Sequence, residues 1–270
     1  MKQLFLSLIL AGLFLSGLTG LEARMAKQNL TYRYGNKSFK GYMIWDASYA
    51  TNRPGIILVH DWWGHNKFIR ERANVLAGYG YTVLAVDMYG NGRQARSARQ
   101  AFSFSRGVRR NMRKMEGRFK AALRILKRHS TVDSRRIGAV GYGFGGAVVL
   151  DMARRGIPLR GVVSFYGFLK TRYPARKGRI LGRILAFHAV SDSYIPAREV
   201  SAFREEMRKA RVRLEVVSYF AQHGFANPES TALGKKFNLR LRYNARAVTK
   251  SYYKVMHFFM EVFPQVTKLK

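Results

Sequence analysis

Residues 136–146 read Arg-Ile-Gly-Ala-Val-Gly-Tyr-Gly-Phe-Gly-Gly, an apolar run that passes directly into a glycine-rich turn. The run is typical of a strand buried on both faces, and the residues from Gly146 onward have the spacing of a helix. A glycine-rich turn between a strand and a helix has two interpretations. It binds the pyrophosphate of a dinucleotide, or it presents a catalytic nucleophile on a sharp elbow.

The dinucleotide interpretation fits the turn itself, because Gly141, Gly143 and Gly146 follow the pattern G-x-G-x-x-G. That fingerprint requires an acidic residue about 20 positions further on, which holds the ribose. The next predicted strand ends instead at residues 164–167, Ser-Phe-Tyr-Gly, without an acid. The elbow pattern G-x-Nuc-x-G places the nucleophile at position 143, where glycine has no side chain. The sequence therefore favours an elbow that lacks its nucleophile.

Two further residues of a catalytic triad follow the turn in chain order. Asp192 lies in a turn after a predicted strand at 183–188, and His223 lies in a loop after a predicted strand at 213–219. The order elbow, acid, histidine is that of α/β-hydrolases, in which the acid orients the imidazole that takes the nucleophile's proton. Each residue alone has an ordinary structural interpretation, as a helix-entry residue or a solvated loop histidine. Together they predict an acid–base pair.

Strands and helices alternate along the rest of the chain. This alternation predicts an α/β fold with a mostly parallel central sheet and helices on both faces. Residues 31–34 and 40–45 flank a turn and predict an N-terminal hairpin, and a helical stretch at 98–129 is expected to break at Gly107. No linker, repeat or low-complexity tract interrupts the pattern, so residues 24–270 are predicted to form a single domain.

Composition excludes several classes of protein and of site. The chain has 270 residues, of which 47% are hydrophobic, which excludes a disordered chain. It contains no cysteine, which excludes disulfides, iron–sulfur clusters, thiolate zinc sites and a cysteine nucleophile. His60, Asp61 and His65 lie close together, but His60 is expected in the core edge, which leaves two ligands. We therefore predict no metal and no cofactor.

The N-terminus has the pattern of a secretory signal peptide. A short basic start precedes an apolar run from Leu4 to Leu15, and small residues follow at Gly17, Gly20 and Ala23. The run is shorter than the about 20 residues of a stable membrane span. We expect residues 1–23 to be cleaved and the protein to be secreted or periplasmic, with an uncleaved anchor as the alternative. The absence of cysteine excludes a bacterial lipoprotein.

Several motifs in order resemble those of the dienelactone hydrolase family within the α/β-hydrolases. The resemblance covers most of the chain between Tyr32 and Phe263. The segments that carry it are Leu58–Asn66, Ala85–Gly90, Gly141–Gly146, His188–Pro196 and Gln222–Pro228.

The resemblance implies an α/β-hydrolase fold and the hydrolysis of an ester, lactone or thioester. Asp192 would be the triad acid and His223 the general base, and the backbone N–H groups of Phe144 and Trp62 would form the oxyanion hole. Two positions depart from the family. Members usually carry Cys or Ser where this chain has Gly143, and lactone-hydrolysing members carry Arg where it has Asn227. We expect a small ester or lactone-like ligand in a pocket lined by Asp61, Trp63 and Tyr142.

Three explanations of Gly143 remain open. The protein is a degenerate hydrolase that binds a ligand without turnover, or His223 activates a water in the space of the missing side chain. The third is a one-base change from Cys. A non-catalytic ligand-binding protein on the same fold is therefore the main alternative to an enzyme.

The chain is strongly basic, with 49 Lys and Arg against 15 Asp and Glu, a net charge of +34. Residues 93–128 hold 13 basic residues and one acid, Glu116. Apolar residues in this stretch recur at helical spacing, so the basic side chains are predicted to share the outer face. We expect non-specific binding to anionic surfaces. Specific nucleic-acid binding is not expected, because stacking aromatics and known recognition motifs are absent.

Overall fold

The computed structural model describes residues 24–49 and 52–263, so the predicted signal peptide lies outside the described residues. The strands are β1 (Met25–Tyr34), β2 (Lys37–Asp46), β3 (Arg53–Val59), β4 (Thr82–Val86), β5 (Val132–Tyr142), β6 (Gly161–Phe165), β7 (Arg183–Ala189) and β8 (Leu214–Tyr219). The helices are α1 (Lys67–Gly78), α2 (Ala98–Arg109), α3 (Met112–Arg128), α4 (Phe144–Arg154), α5 (Ala197–Lys209), α6 (Ser230–Phe237) and α7 (Ala245–Val262).

All eight strands form one sheet in the order β1-β2-β4-β3-β5-β6-β7-β8. The first two strands pair antiparallel as a hairpin, and β2 also runs antiparallel to β4. The other pairs, from β4 to β8, are parallel. The mostly parallel sheet and the N-terminal hairpin are therefore confirmed.

Each face of the sheet is covered by helices, which explains the continuous apolar runs of the strands. In β3, Ile57 and Val59 belong to the core that contains buried residues of α3, α4 and α5. The alternate residues, Ile56 and Leu58, belong to a second core with buried residues of α1 and α7. A strand that is buried on both faces has no position where a polar side chain reaches water.

The helical stretch 98–129 is divided at a different place from the one predicted. Gly107 lies inside α2 and is exposed, so the break predicted there is wrong. The chain turns instead at Arg110 and Asn111, and the Asn111 side chain accepts a hydrogen bond from the Lys114 N–H at 2.9 Å. The asparagine cap fixes the start of α3 at this point, whereas a glycine inside a helix only lowers its stability.

The parallel strands direct their carboxyl ends to one edge of the sheet. The loops that follow β3, β5, β6, β7 and β8 lie at this edge. These loops carry Asp61, Gly143, Tyr166, Asp192 and His223. Among the described residues, no helix combines the length and the apolar character needed to cross a bilayer.

Candidate active site

The turn between β5 and α4 has the backbone of a nucleophile elbow. Gly143 has φ 50° and ψ −108°, a left-handed conformation that L side chains adopt only with strain. Its N–H donates to the carbonyl of Phe165 at 2.8 Å, and its carbonyl accepts from the Ala147 N–H at 3.1 Å. Gly145 permits the close approach of α4 to β3, because a Cβ there would lie 2.3 Å from the Val59 carbonyl oxygen. The main chain therefore fixes the elbow without the help of residue 143's side chain.

Asp192 and His223 form a hydrogen-bonded pair beside this elbow. His223 Nδ1 lies 2.7 Å from Asp192 Oδ2. Asp192 Oδ1 accepts from the N–H groups of Tyr194 at 2.8 Å and Ile195 at 3.2 Å, so the carboxylate is held by its own turn. With Nδ1 donating to the carboxylate, Nε2 of a neutral imidazole is left as an acceptor.

Nε2 of His223 faces the elbow. A Cβ placed on Gly143 would lie 3.7 Å from Nε2 and 3.6 Å from Cε2 of Tyr166, both ordinary contact distances. The expected geometry is therefore confirmed: acid and base are within hydrogen-bond reach, and the base points at position 143. The catalytic roles of these residues stay predictions.

The loop that carries His223 is braced by the segment that follows it. The His223 carbonyl accepts from the Arg242 N–H at 3.2 Å, and Ser230 Oγ donates to the Gly224 carbonyl at 2.7 Å. Ser230 is the first residue of α6, a helix that the sequence did not predict. The backbone of this loop is therefore held by Ser230 and Arg242, which both lie further along the chain.

Three aromatic rings surround His223, and the sequence did not indicate any of them. The ring centroids of Tyr194, Tyr166 and Phe168 lie 5.0, 5.1 and 6.2 Å from that of the imidazole. Tyr166 directly follows β6 at φ 39°, so its position at a strand end was the one available signal. Burial raises the pKa of Tyr166 well above its usual value, which keeps the phenol neutral.

Asp61 is a second buried carboxyl group at this edge of the sheet. Its Oδ1 accepts from the Trp63 N–H at 2.9 Å, and its Oδ2 accepts from the Asn227 side-chain amide at 3.1 Å. Burial raises the pKa of Asp61 to about 6, against the opposing effects of both hydrogen bonds and of nearby His223. Asn227 thus binds this carboxyl group with a neutral amide, which compensates less charge than a guanidinium would.

The two predicted oxyanion donors belong to the turns that follow β5 and β3. The N–H of Phe144 belongs to the first turn of α4, where no intrahelical acceptor exists. The Trp62 peptide follows Asp61 in the turn after β3, and its carbonyl accepts from the Tyr89 hydroxyl at 2.9 Å. Their role as an oxyanion hole stays a prediction.

Comparison with known proteins identifies the family. The family model described as "Dienelactone hydrolase family" matches residues 39–263. The chain belongs to the dienelactone hydrolase family. It is 28% identical to a carboxymethylenebutenolidase homolog of Rattus norvegicus over 189 residues, 67% of this chain and 76% of that protein. It is 27% identical to the carboxymethylenebutenolidase of Pseudomonas putida over 193 residues, 66% of this chain and 77% of that protein.

A solved structure of the dienelactone hydrolase type has the same architecture. It is a dienelactone hydrolase-like promiscuous phosphotriesterase from metagenomic libraries, which is 30% identical and has a TM-score of 0.82. The similarity covers 89% of this chain and 99% of that one. The α/β-hydrolase fold expected from the resemblance is therefore confirmed.

Two residues that we expected to line a pocket are both buried in the interior. Tyr142 is fully buried on the α1 and α7 side of the sheet, where its hydroxyl pairs with that of Tyr252. Because this side chain has no exposed surface, its assignment as a residue that lines an open pocket is wrong. Trp63 is also buried and stacks on Phe237 of α6 at 5.5 Å between ring centroids.

The histidines near Asp61 have structural hydrogen bonds. His60 Nε2 accepts from the Met88 N–H at 3.1 Å, and its Nδ1 donates to the Asp61 carbonyl at 2.5 Å. His65 Nε2 lies 3.2 Å from the Ala85 carbonyl, and burial lowers the pKa of His65 to about 4. Both imidazoles are therefore neutral groups of the interior. The described part of the chain contains no group of three or more metal-ligating side chains of the types His, Cys, Asp and Glu.

Proposed function

We propose that this member of the dienelactone hydrolase family hydrolyses an ester, lactone or thioester bond with a water activated by His223, without an acyl-enzyme. The observation that carries the proposal is the intact Asp192–His223 pair, aimed at an elbow that has no nucleophilic side chain. We also propose that the protein acts after export, because residues 1–23 have the pattern of a signal peptide.

The proposed reaction uses groups at the carboxyl edge of the sheet. A water beside Gly143 gives a proton to His223 Nε2 while its oxygen attacks the carbonyl carbon of the substrate. The N–H groups of Phe144 and Trp62 stabilise the oxyanion, and Asp192 stabilises the imidazolium. His223 then returns the proton to the leaving alcohol or thiol, and the products are that group and a carboxylic acid.

The expected rate is low. In hydrolases that lose a triad member, the oxyanion hole and substrate binding retain roughly 10³–10⁴-fold acceleration over water. Activation of water by an oriented histidine adds to this acceleration. The rate should still fall well short of that of a covalent hydrolase, because a free water must be ordered in each cycle.

Binding of a small ester or lactone-like ligand without turnover is the second candidate. The observation in its favour is the glycine at position 143 together with the aromatic surroundings of His223. Tyr166, Phe168 and Tyr194 offer apolar ring surface, which suits a small ligand whether or not it reacts.

The test is the hydrolysis of p-nitrophenyl acetate by the whole protein and by two histidine variants. Slow turnover is expected without an initial burst, and His223→Gln should lower it at least about 10-fold. His257→Gln is the matched control, because His257 is an exposed imidazole on α7 and its loss should leave the rate unchanged. Equal rates for the protein and His223→Gln would favour binding without turnover. An acyl adduct that depends on His223 would contradict attack by water.

A further inference from the structure

The outer side of α2 and the first turn of α3 form one exposed surface, which we call the α2–α3 face. Its inner side is buried through Ala101 and Val108 of α2 and Met112 and Met115 of α3. The cations of this face therefore lie on the outer side as predicted, whereas Arg118 of α3 is half-buried and donates to the Met88 carbonyl at 2.6 Å. The exposed side chains of the α2–α3 face are Arg99, Phe102, Arg106, Arg110, Arg113 and Lys114.

The charges of this face are not neutralised by acidic neighbours. Within residues 24–49 and 52–263, none of its five cations forms an ion pair with a carboxylate. The nearest acid in the sequence, Glu116, pairs instead with Lys120 and with Arg155, which directly follows α4. Five uncompensated cations within 16 residues repel one another, so a dense array of negative charge that approached the face would stabilise them.

A large aromatic ring lies in the middle of these cations. Phe102 is 55% exposed, and Arg99 precedes it by three positions while Arg106 follows it by four. The three side chains therefore share one side of α2, and the Arg106 guanidinium lies 5.6 Å from the centre of the Phe102 ring. A soluble polyanion needs only the positive charges. A membrane interface takes up both the charges and the ring, because the ring enters the boundary between headgroups and acyl chains.

We propose that the α2–α3 face docks this protein on bilayers that contain anionic phospholipids. The cations contact the phosphate headgroups and Phe102 enters the interface, so the protein lies on the bilayer without spanning it. The proposal rests on the surface alone and holds whether or not the site is catalytic.

Docking at this face would bring the candidate site near the membrane. Arg109, the last residue of α2, stacks on Phe168 at 5.3 Å from the ring centroid. Phe168 is in turn one of the rings around His223, at 6.2 Å between centroids. The end of α2 therefore lies next to the aromatic surroundings of His223, and a bilayer against the α2–α3 face would adjoin them.

The test measures cosedimentation with vesicles of phosphatidylcholine alone and of phosphatidylcholine mixed with phosphatidylglycerol. Binding is expected only to the mixed vesicles, and it should weaken as salt shortens the Debye length below about 10 Å. Phe102→Ser should weaken binding several-fold, and a four-charge variant should weaken it at least about 10-fold. The four changes are Arg106→Gln, Arg110→Gln, Arg113→Gln and Lys114→Gln.

A control variant loses the same amount of charge elsewhere. The four substituted residues of this control are exposed and lie outside the α2–α3 face. The control should therefore bind mixed vesicles nearly as well as the unchanged protein does. Its four changes are Lys177→Gln, Lys235→Gln, Arg246→Gln and Lys250→Gln. Far-ultraviolet circular dichroism verifies that each variant is folded.

Three outcomes would overturn the proposal. An equal loss of binding in both four-charge variants would mean that net charge, and not this face, attracts the vesicles. Binding to heparin with no binding to mixed vesicles would identify a soluble polyanion as the partner. The third outcome concerns position 102 and combines two results. Phe102→Ser would bind mixed vesicles as well as the unchanged protein does, and Phe102→Trp would show no extra blue shift of tryptophan emission with mixed vesicles.

Discussion

The two halves of the candidate site differ in what holds them in place. The Asp192–His223 half is a contact between two side chains at 2.7 Å. The elbow half is held by main-chain hydrogen bonds of Gly143 and by the close approach of Gly145 to β3, none of which involves a functional side chain. The elbow therefore keeps a reactive conformation when the nucleophile is absent. In this fold, the geometry of the site and the chemistry of its nucleophile are separable.

The largest expected effect comes from restoring a nucleophile to the half that lacks one. Gly143→Ser and Gly143→Cys should raise p-nitrophenyl acetate hydrolysis about 100-fold or more, since each places a hydroxyl or thiol beside His223 Nε2. An initial burst should accompany the increase, because the acyl-enzyme now forms. Stopped-flow absorbance at the p-nitrophenolate band measures both.

Gly143→Ala is the matched control for this change. It adds a Cβ at 3.6 Å from Tyr166 and 3.7 Å from His223 but supplies no nucleophile, so the rate should not rise. Rates for the serine and cysteine variants that match that of the alanine variant would show that the two halves are not aligned for catalysis.

The second expected effect is a difference in stability between alanine substitutions at two glycines of the elbow, Gly145 and Gly143. A Cβ at Gly145 would lie 2.3 Å from the Val59 carbonyl oxygen and 2.5 Å from that of His60, and both are backbone atoms that cannot move aside. Gly145→Ala should therefore lower the free energy of unfolding by about 3 kcal/mol. Gly143→Ala should lower it by only about 1 kcal/mol, the strain of a positive φ. Urea denaturation measures both, and equal losses would contradict the packing argument.

The sequence predicted the parts of the fold whose signal is local. The strands predicted at 183–188 and 213–219 each differ from β7 and β8 by one residue at one end. Helix α6 was missed because it is short and is held by the chain around it. The Leu239 N–H donates to the Gly234 carbonyl, and a Cβ on Gly234 would lie 2.6 Å from the Leu241 carbonyl oxygen.

The part of the candidate site that could be predicted consists of residues that follow a predicted strand. Asp192 and His223 each follow a strand, and their chain order gives the pairing. The rings around His223 come from the loops after β6 and β7, and no spacing within either loop reveals that they meet. Tyr142 was misplaced because it still belongs to β5, and alternation along the strand directs its side chain into the core that contains α1 and α7.

The third effect compares two buried titratable groups on the turn after β3. The pKa of Asp61 is about 6 in the folded protein, above its ordinary value, and that of His65 is about 4, below its ordinary value. Between pH 4 and 6 the folded state keeps a proton on Asp61 that the unfolded state has lost. In almost the same range, the unfolded state carries a proton on His65 that the folded state excludes.

As pH rises, these two groups should change the unfolding free energy of the protein in opposite directions. Relative to Asp61→Asn, the unchanged protein should lose about 2 kcal/mol of unfolding free energy as pH rises from 4 to 6, and little more above pH 6. Relative to His65→Gln, it should gain about 2 kcal/mol as pH rises from 4 to 6.5. Urea denaturation across this pH range gives both differences, in which the contributions of groups that do not interact with the substituted residue cancel. A slope of zero for either difference would show that the group titrates in the folded state as it does in water, so that burial at this edge of the sheet does not control its charge.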